Sequence, residues 1–160
     1  MTGESDRYMP KIDMSKLKAR SATNYPDAFK HLVEGRLKTA LGNAAGLTQF
    51  GVNLTRMPPG AASSIRHWHE NEDEFVYILE GECTLIEDGG ETILKAGDCA
   101  GFKAGVANGH HLVNKTNCDV LYLEIGTRAP TERAHYPDVD LFFERDDKQI
   151  RILHKSGEPY

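Results

Sequence analysis

"RHWHENEDEFVYILEG", residues 66–81, is the stretch on which the fold turns. In an extended strand, side chains at i and i+2 leave from the same face, so His67 and His69 point together and Trp68 points away. "ENED" reads as a reversal, after which Glu74 opens a second strand, "EFVYILEG". A hairpin that sets Glu74 beside the pair makes two imidazoles and one carboxylate converge, a suitable donor set for a divalent transition metal. Within the second strand Glu74, Val76 and Ile78 share one face, and Phe75, Tyr77 and Leu79 share the other. Two apolar faces imply that one lines a barrel interior while the other packs on a neighbouring layer. The competing account is a charged, solvated turn with two incidental histidines, and His-x-His alone is a weak motif.

The rest of the chain reads the same way. From Leu47 the period is two: "LTQFGVNLTRM" ends at "PPG" (58–60), "CTLIED" at "GG" (89–90) and "ETILKAGD" near Gly97, with "HLVN" and "DVLYLEIG" after them. Short alternating runs punctuated by Gly and Pro indicate an all-β antiparallel sandwich or small barrel. Ahead of this core, residues 1–46 form an N-terminal extension. There "PDAFKHLVEGRLKTAL" (26–41) carries Phe29, Leu32, Val33, Leu37 and Leu41 near helical spacing. Gly35 interrupts it, which leaves a short helix followed by irregular chain as an equal alternative, and "GNAAG" (42–46) reads as a turn or loop. Residues 127–160 read as a C-terminal arm, with strands at "DLFFER" and "QIRILHK" joined at "DDK". This arm either packs over its own barrel or reaches across a two-fold interface.

With 160 residues the chain is one ordinary domain, and a net charge of −5 argues against broad nucleic-acid or anionic-membrane binding. "MTGESDRYMPKIDMSKLKAR" lacks an unbroken apolar run, so neither a secretory signal nor a membrane span is expected. Three cysteines (Cys83, Cys99 and Cys118) without CxxC spacing fit a reduced, cytoplasmic setting.

Gly60, His67-x-His69, Glu74 and Gly81 together resemble the first signature of the cupin family, G-x5-H-x-H-x(3,4)-E-x6-G, with one extra residue between Gly60 and His67. "GDCAGFKAGVANGHHLVN" (97–114) is similar to the second, G-x5-P-x-G-x2-H-x3-N, except that Lys103 replaces the proline and Asn108 falls where the third histidine belongs. His110-x3-Asn114 restores the end of that motif if the loop has gained two residues at "NG". His110 is therefore preferred over Asn108, and His111 competes because a one-residue slip exchanges the two faces. The resemblance covers residues 47–126. It implies a double-stranded β-helix, the cupin jelly-roll barrel, holding one metal through His67, His69, Glu74 and His110.

Four protein donors on a six-coordinate ion leave two positions open, as a catalytic rather than a structural site requires. Fe, Mn, Ni, Co and Zn all suit a mixed nitrogen and oxygen set. The function that follows is a metal-dependent dioxygenase, isomerase or lyase on a small polar, oxygen-rich molecule. The alternative is a non-catalytic sugar- or metabolite-binding sensor. A homodimer is expected, with no nucleic-acid or membrane partner. Arg56, Arg66 and Lys103 are weak candidates for a substrate carboxylate, and Tyr77 is expected to pack. Glu70, Glu72 and Asp73 read as a solvated turn, the alternative being that one of these acids hydrogen-bonds a ligand imidazole. The cysteines read as small buried residues.

Overall fold

The computed structural model describes residues 11–160, so the first ten residues of the N-terminal extension lie outside the described part. No helix among the described residues is long and apolar enough to cross a membrane. After two short helical turns, α1 (Asp27–Lys30) and the 3₁₀ turn His31–Val33, the chain enters β1 (Leu37–Ala40). A second turn of helix, α2 (Leu41–Ala44), leads to β2 (Phe50–Met57), β3 (Trp68–His69), β4 (Glu74–Glu80) and β5 (Glu82–Glu87). Then follow β6 (Gly90–Lys95), β7 (Cys99–Phe102), β8 (His111–Val113) and β9 (Val120–Thr127). The chain finishes with β10 (Glu132–Tyr136), β11 (Leu141–Arg145) and β12 (Ile150–Leu153).

One antiparallel sheet runs β1-β2-β9-β4-β7, and two smaller ones run β12-β11-β10-β3 and β6-β5-β8. The small sheets are joined edge to edge by isolated bridges, His67 to His110 and Ala62 to Val113. The resulting layers enclose a jelly-roll barrel. At one end its core is apolar: Met57, Ile78 and Val120 from the large sheet meet Cys83, Leu85 and Leu112 opposite. A second apolar cluster, Ile65, Ala134, Tyr136 and Leu141, closes the far side with Tyr25 and Phe29 of the N-terminal segment packed on it.

The large sheet's inner face changes character from row to row, because register fixes which side chains are neighbours. Thr55, Tyr122 and Ile78 lie abreast, with Lys38 on the β1 side. Asn53, Glu124 and Val76 form the next row, and Gly51, Gly126, Glu74 and Phe102 the one after. Bulk falls and polarity rises toward Glu74. Between β4 and β5, Gly81 turns the chain at φ +79°, and a Cβ there would stand 2.6 Å from the Asp119 carbonyl oxygen, so both backbone and space demand glycine.

Several elements depart from the reading of the sequence. The apolar spacing of 26–41 becomes only one turn of α-helix and one of 3₁₀, because Gly35 at φ +81° breaks it and β1 then pairs with β2. Residues 42–44 of the expected turn or loop join Leu41 in one turn of helix. β10 was not anticipated, since "ERAHY" puts Glu132 inward beside Ala134 and Tyr136 and so hides its alternation. The arm packs on its own chain: β10 pairs with β3 and β11, and β11 with β12. Among the described residues no layer covers the outer face of β4, where Phe75, Tyr77 and Leu79 are each 39–40% exposed.

Candidate metal centre

His67 leads into β3 and His69 ends it, so strand parity aims both rings into the barrel. Their donor atoms and that of Glu74 all lie within 4.8 Å of one another. His110 arrives from the adjoining sheet because it is bridged directly opposite His67, with backbone N–H···O distances of 3.2 and 2.9 Å. Its Nε2 is 2.9 Å from Glu74 Oε2, and those of His67 and His69 are each 3.5 Å from the same oxygen. The Phe102 ring stacks on His110 with centroids 3.6 Å apart, which fixes the imidazole plane.

Partners on the far side of each ring set the tautomers. His67 Nδ1 donates to the Ile65 carbonyl at 2.8 Å, His69 Nδ1 to Glu132 Oε1 at 3.3 Å, and His110 Nδ1 to the Asn108 carbonyl at 3.4 Å. A carbonyl oxygen only accepts, so at His67 and His110 the ring proton sits on Nδ1 and the Nε2 lone pair of the neutral ring faces inward. Three such lone pairs and a carboxylate oxygen crowded together repel unless protons or a cation stand among them, and this donor set suits a divalent transition ion. Glu132 is itself buried and accepts from the backbone N–H groups of Glu70 (3.0 Å) and Asn71 (2.9 Å), which holds it rigidly behind His69.

Electrostatics agree with this arrangement. Burial would raise the Glu74 carboxyl, yet in the absence of a cation hydrogen bonds from His110 and His67, and the charges that His67 and His69 carry when protonated, hold it well below the ordinary glutamate range. Burial would lower His69, but Glu132 and the charge of Glu74 outweigh it and the imidazole rises. Glu132 is likewise depressed against its own burial, by His69 and the two backbone donors.

The cluster borders a cavity of about 340 Å³ that extends from His67, Glu74 and His110 to Tyr122, Lys38 and Arg36, a size that suits a small molecule. A smaller one of about 190 Å³ touches His69 from the other side and is lined by Lys103 and Asn108. The Asn108 side chain, however, is held by Glu87 and by the backbone N–H of Asp88. His111 turns away from the cluster and bonds through Nδ1 to the Ser64 carbonyl at 2.9 Å, while its ring borders the larger cavity.

The weaker candidates fall elsewhere. Arg56 pairs with Asp119 on the outside, and Arg66 is clamped by Asp138 and Asp88. Tyr77 faces outward. Of the turn acids, Glu70 bonds His135, Glu72 takes Arg145 and the Ala129 N–H, and Asp73 accepts from Ala104 N–H. None hydrogen-bonds a clustered imidazole, although a Glu72 oxygen lies within 4.8 Å of a His69 ring nitrogen; the bond to His69 comes from Glu132 on β10. Among the cysteines only Cys83 is buried, and Cys99 and Cys118 are exposed. Arg36 and Tyr122 are the cavity residues the sequence did not expose: "GRLK" hid inside a helix-like pattern, and Tyr122 read as an apolar strand residue.

A small antiparallel barrel with three imidazoles and a carboxylate converging at one end of an interior cavity defines a class of protein, and comparison gives it a family. A cupin-domain family model matches residues 53–126. The structure of a sugar phosphate isomerase from a cupin superfamily of Silicibacter pomeroyi is 44% identical with a TM-score of 0.90, covering 94% of this chain and 96% of that one. The chain belongs to the cupin superfamily. A putative sugar phosphate isomerase from Acidithiobacillus ferrooxidans is 28% identical with a TM-score of 0.71, over 78% of this chain and 80% of that chain. The oxalate-binding protein of Thermotoga maritima is 34% identical over 70 residues, which are 44% of this chain and 55% of that protein. The matched stretch thus spans about half the length of that curated relative.

Proposed function

We propose that His67, His69, Glu74 and His110 hold one divalent transition metal per chain, and that the protein is a metal-dependent isomerase of small, oxygen-rich molecules of the sugar-phosphate class. The convergence of three Nε2 atoms on a single Glu74 oxygen, at the edge of a cavity of about 340 Å³, carries this reading. The 44% identity across nearly the whole chain to a sugar phosphate isomerase supports isomerase over dioxygenase or lyase. A bound ion would polarise a substrate carbonyl and stabilise negative charge on the adjacent oxygen. The chain's own residues then orient the substrate and move the proton. His111 is the proposed base: burial holds its imidazole below the ordinary range, Nδ1 is occupied by the Ser64 carbonyl, and the other nitrogen remains free to accept.

The test is elemental analysis of protein purified without chelator, together with deuterium exchange from solvent into a panel of aldose and ketose phosphates followed by NMR. About one metal per chain and exchange beside the carbonyl in at least one sugar phosphate are expected. Metal without exchange, accompanied by oxygen uptake after anaerobic Fe(II) loading, would replace isomerase by dioxygenase. A non-catalytic binding cupin is the second reading, favoured by the oxalate-binding relative, and predicts saturable ligand binding without turnover. The exposed apolar side chains on the outer face of the large sheet support a homodimer, and the odd cysteine count supports a cytoplasmic setting.

A further inference from the structure

The cavity holds a charge that the metal cluster does not explain. Arg36 precedes β1 by one residue and shares its inner face with Lys38, and it is only 6% exposed. Its guanidinium donates to the Ser63 carbonyl, yet among the described residues no carboxylate pairs with it. Lys38, by contrast, is neutralised: its Nζ lies 2.7 and 2.9 Å from the two oxygens of Glu124, and Asn53 supplies a further donor to that carboxylate at 3.2 Å. A buried guanidinium without a counter-ion is costly unless an anion joins it. Beside it Tyr122 is wholly buried and lines the same cavity, and neither its hydroxyl nor that of Thr55, its cross-strand neighbour, has a partner within hydrogen-bond distance. Burial pushes that phenol well above its ordinary range against the pull of the Arg36 charge, so it stays protonated and offers a donor.

We propose that Arg36 and Tyr122 form an oxyanion subsite, in which the guanidinium and the phenol hold a carboxylate or phosphate group of the substrate while the rest of that molecule lies toward His67, Glu74 and His110. This assignment rests on reading the cavity as the substrate site. Guanidinium is the side chain best matched to such groups, because its fixed fork of donors fits two oxygens at once. The subsite also gives one acceptor-only ligand to two buried donors: a guanidinium without a counter-ion and a phenol hydroxyl without a partner.

The test is calorimetric titration of the full-length protein, metal-loaded and metal-stripped, with two probes: inorganic phosphate and malonate. At least one probe binds wild type saturably and identifies the oxyanion. Arg36→Met weakens that binding by about tenfold or more, the loss of a charge-assisted hydrogen bond. Arg36→Lys recovers part of it, and Tyr122→Phe weakens it severalfold. Arg56→Met, which removes a surface charge, leaves it unchanged. Equal affinity of wild type, Arg36→Met and Tyr122→Phe, or no binding of either probe, overturns the subsite. Should Arg36→Met fail to fold by circular dichroism, Arg36→Lys and Tyr122→Phe decide, and unchanged affinity in both overturns it. Metal content is measured on the same samples, which separates the two claims. Arg36-dependent binding by protein that takes up no metal leaves the subsite standing and removes the metal reading. Full metal with Arg36-independent binding does the reverse.

Discussion

Toward Glu74 the two faces of the large sheet invert the usual rule. Its inner face carries Lys38, Asn53, Thr55, Glu124 and Glu74, while its outer face carries Phe50, Val52, Leu54, Phe75, Tyr77 and Leu79. A half-solvated antiparallel sheet ordinarily keeps apolar residues inside and polar ones outside. The difference teaches that this part of the barrel is a chamber rather than a core. The apolar burial that holds the fold together sits at the other end, around Met57, Ile78 and Val120, and on the arm side around Leu141. Polar groups can face inward only because each is paired, as Lys38 is with Glu124, or because a guest completes it.

The largest disruption of this contrast comes from emptying the inner cluster. His67→Ala or His69→Ala removes one of four donors from a site worth on the order of 10 kcal/mol, so metal affinity falls by roughly a hundredfold or more. His111→Ala leaves the metal in place but loses turnover. Elemental analysis after gel filtration reads the metal and solvent deuterium exchange reads the turnover, and full metal in His69→Ala would remove the proposed ligand set.

One step back from the donors, Glu132→Gln keeps shape and packing but loses the charge that steadies His69. Metal affinity drops by about 10- to 100-fold, measured by competition with a chromophoric chelator. An unchanged affinity would mean that β10 only packs. On the outer face, the double change Phe75→Lys and Tyr77→Lys raises the dimer dissociation constant by about tenfold or more, since aromatic anchors dominate such surfaces. Analytical ultracentrifugation reads it, and a wild-type monomer at micromolar concentration would rule out the dimer.

The smallest effect sharpens the contrast without altering it. Burial pushes the Cys83 thiol up to about 12, so at neutral pH it stays protonated and unreactive, whereas Cys99 on the outer side of β7 and Cys118 are exposed. Titration with a thiol reagent is expected to count two fast groups and a third only on unfolding. Because Cys99 lies opposite Tyr77 in the β4–β7 register, its labelling should slow a fewfold as protein concentration favours the dimer. A fast third thiol in folded protein would place Cys83 outside the core.

How much of this was legible in the sequence follows from the range of the forces involved. Parity alone put His67, His69 and Glu74 on inner faces, since a period of two is a local property of an extended chain. Counting back from Asn114 favoured His110 over Asn108, and the bridge to His67 sets the His110 ring beside Glu74. Asn114 itself is buried and ties the Met57 and Cys118 carbonyls. Two things stayed hidden. Strands whose inner positions are charged, β1 with Lys38 and β10 with Glu132, carry no apolar alternation to betray them. Contacts such as Glu132 with His69, 63 residues apart, exist only through the pairing of β10 with β3. The covering layer expected over Phe75, Tyr77 and Leu79 failed for the opposite reason, because apolar spacing says that a face seeks company but not whether the same chain supplies it.

The four clustered side chains lie within residues 53–126, where the family model matches, whereas Glu132 and Arg36 come from the flanks on either side. A graft of the matched stretch alone would therefore carry every donor atom yet lack both the carboxylate that steers His69 and the guanidinium that waits for a guest. Exchanging flanks between related barrels becomes a route to new selectivity in which the chemistry at the centre is inherited untouched.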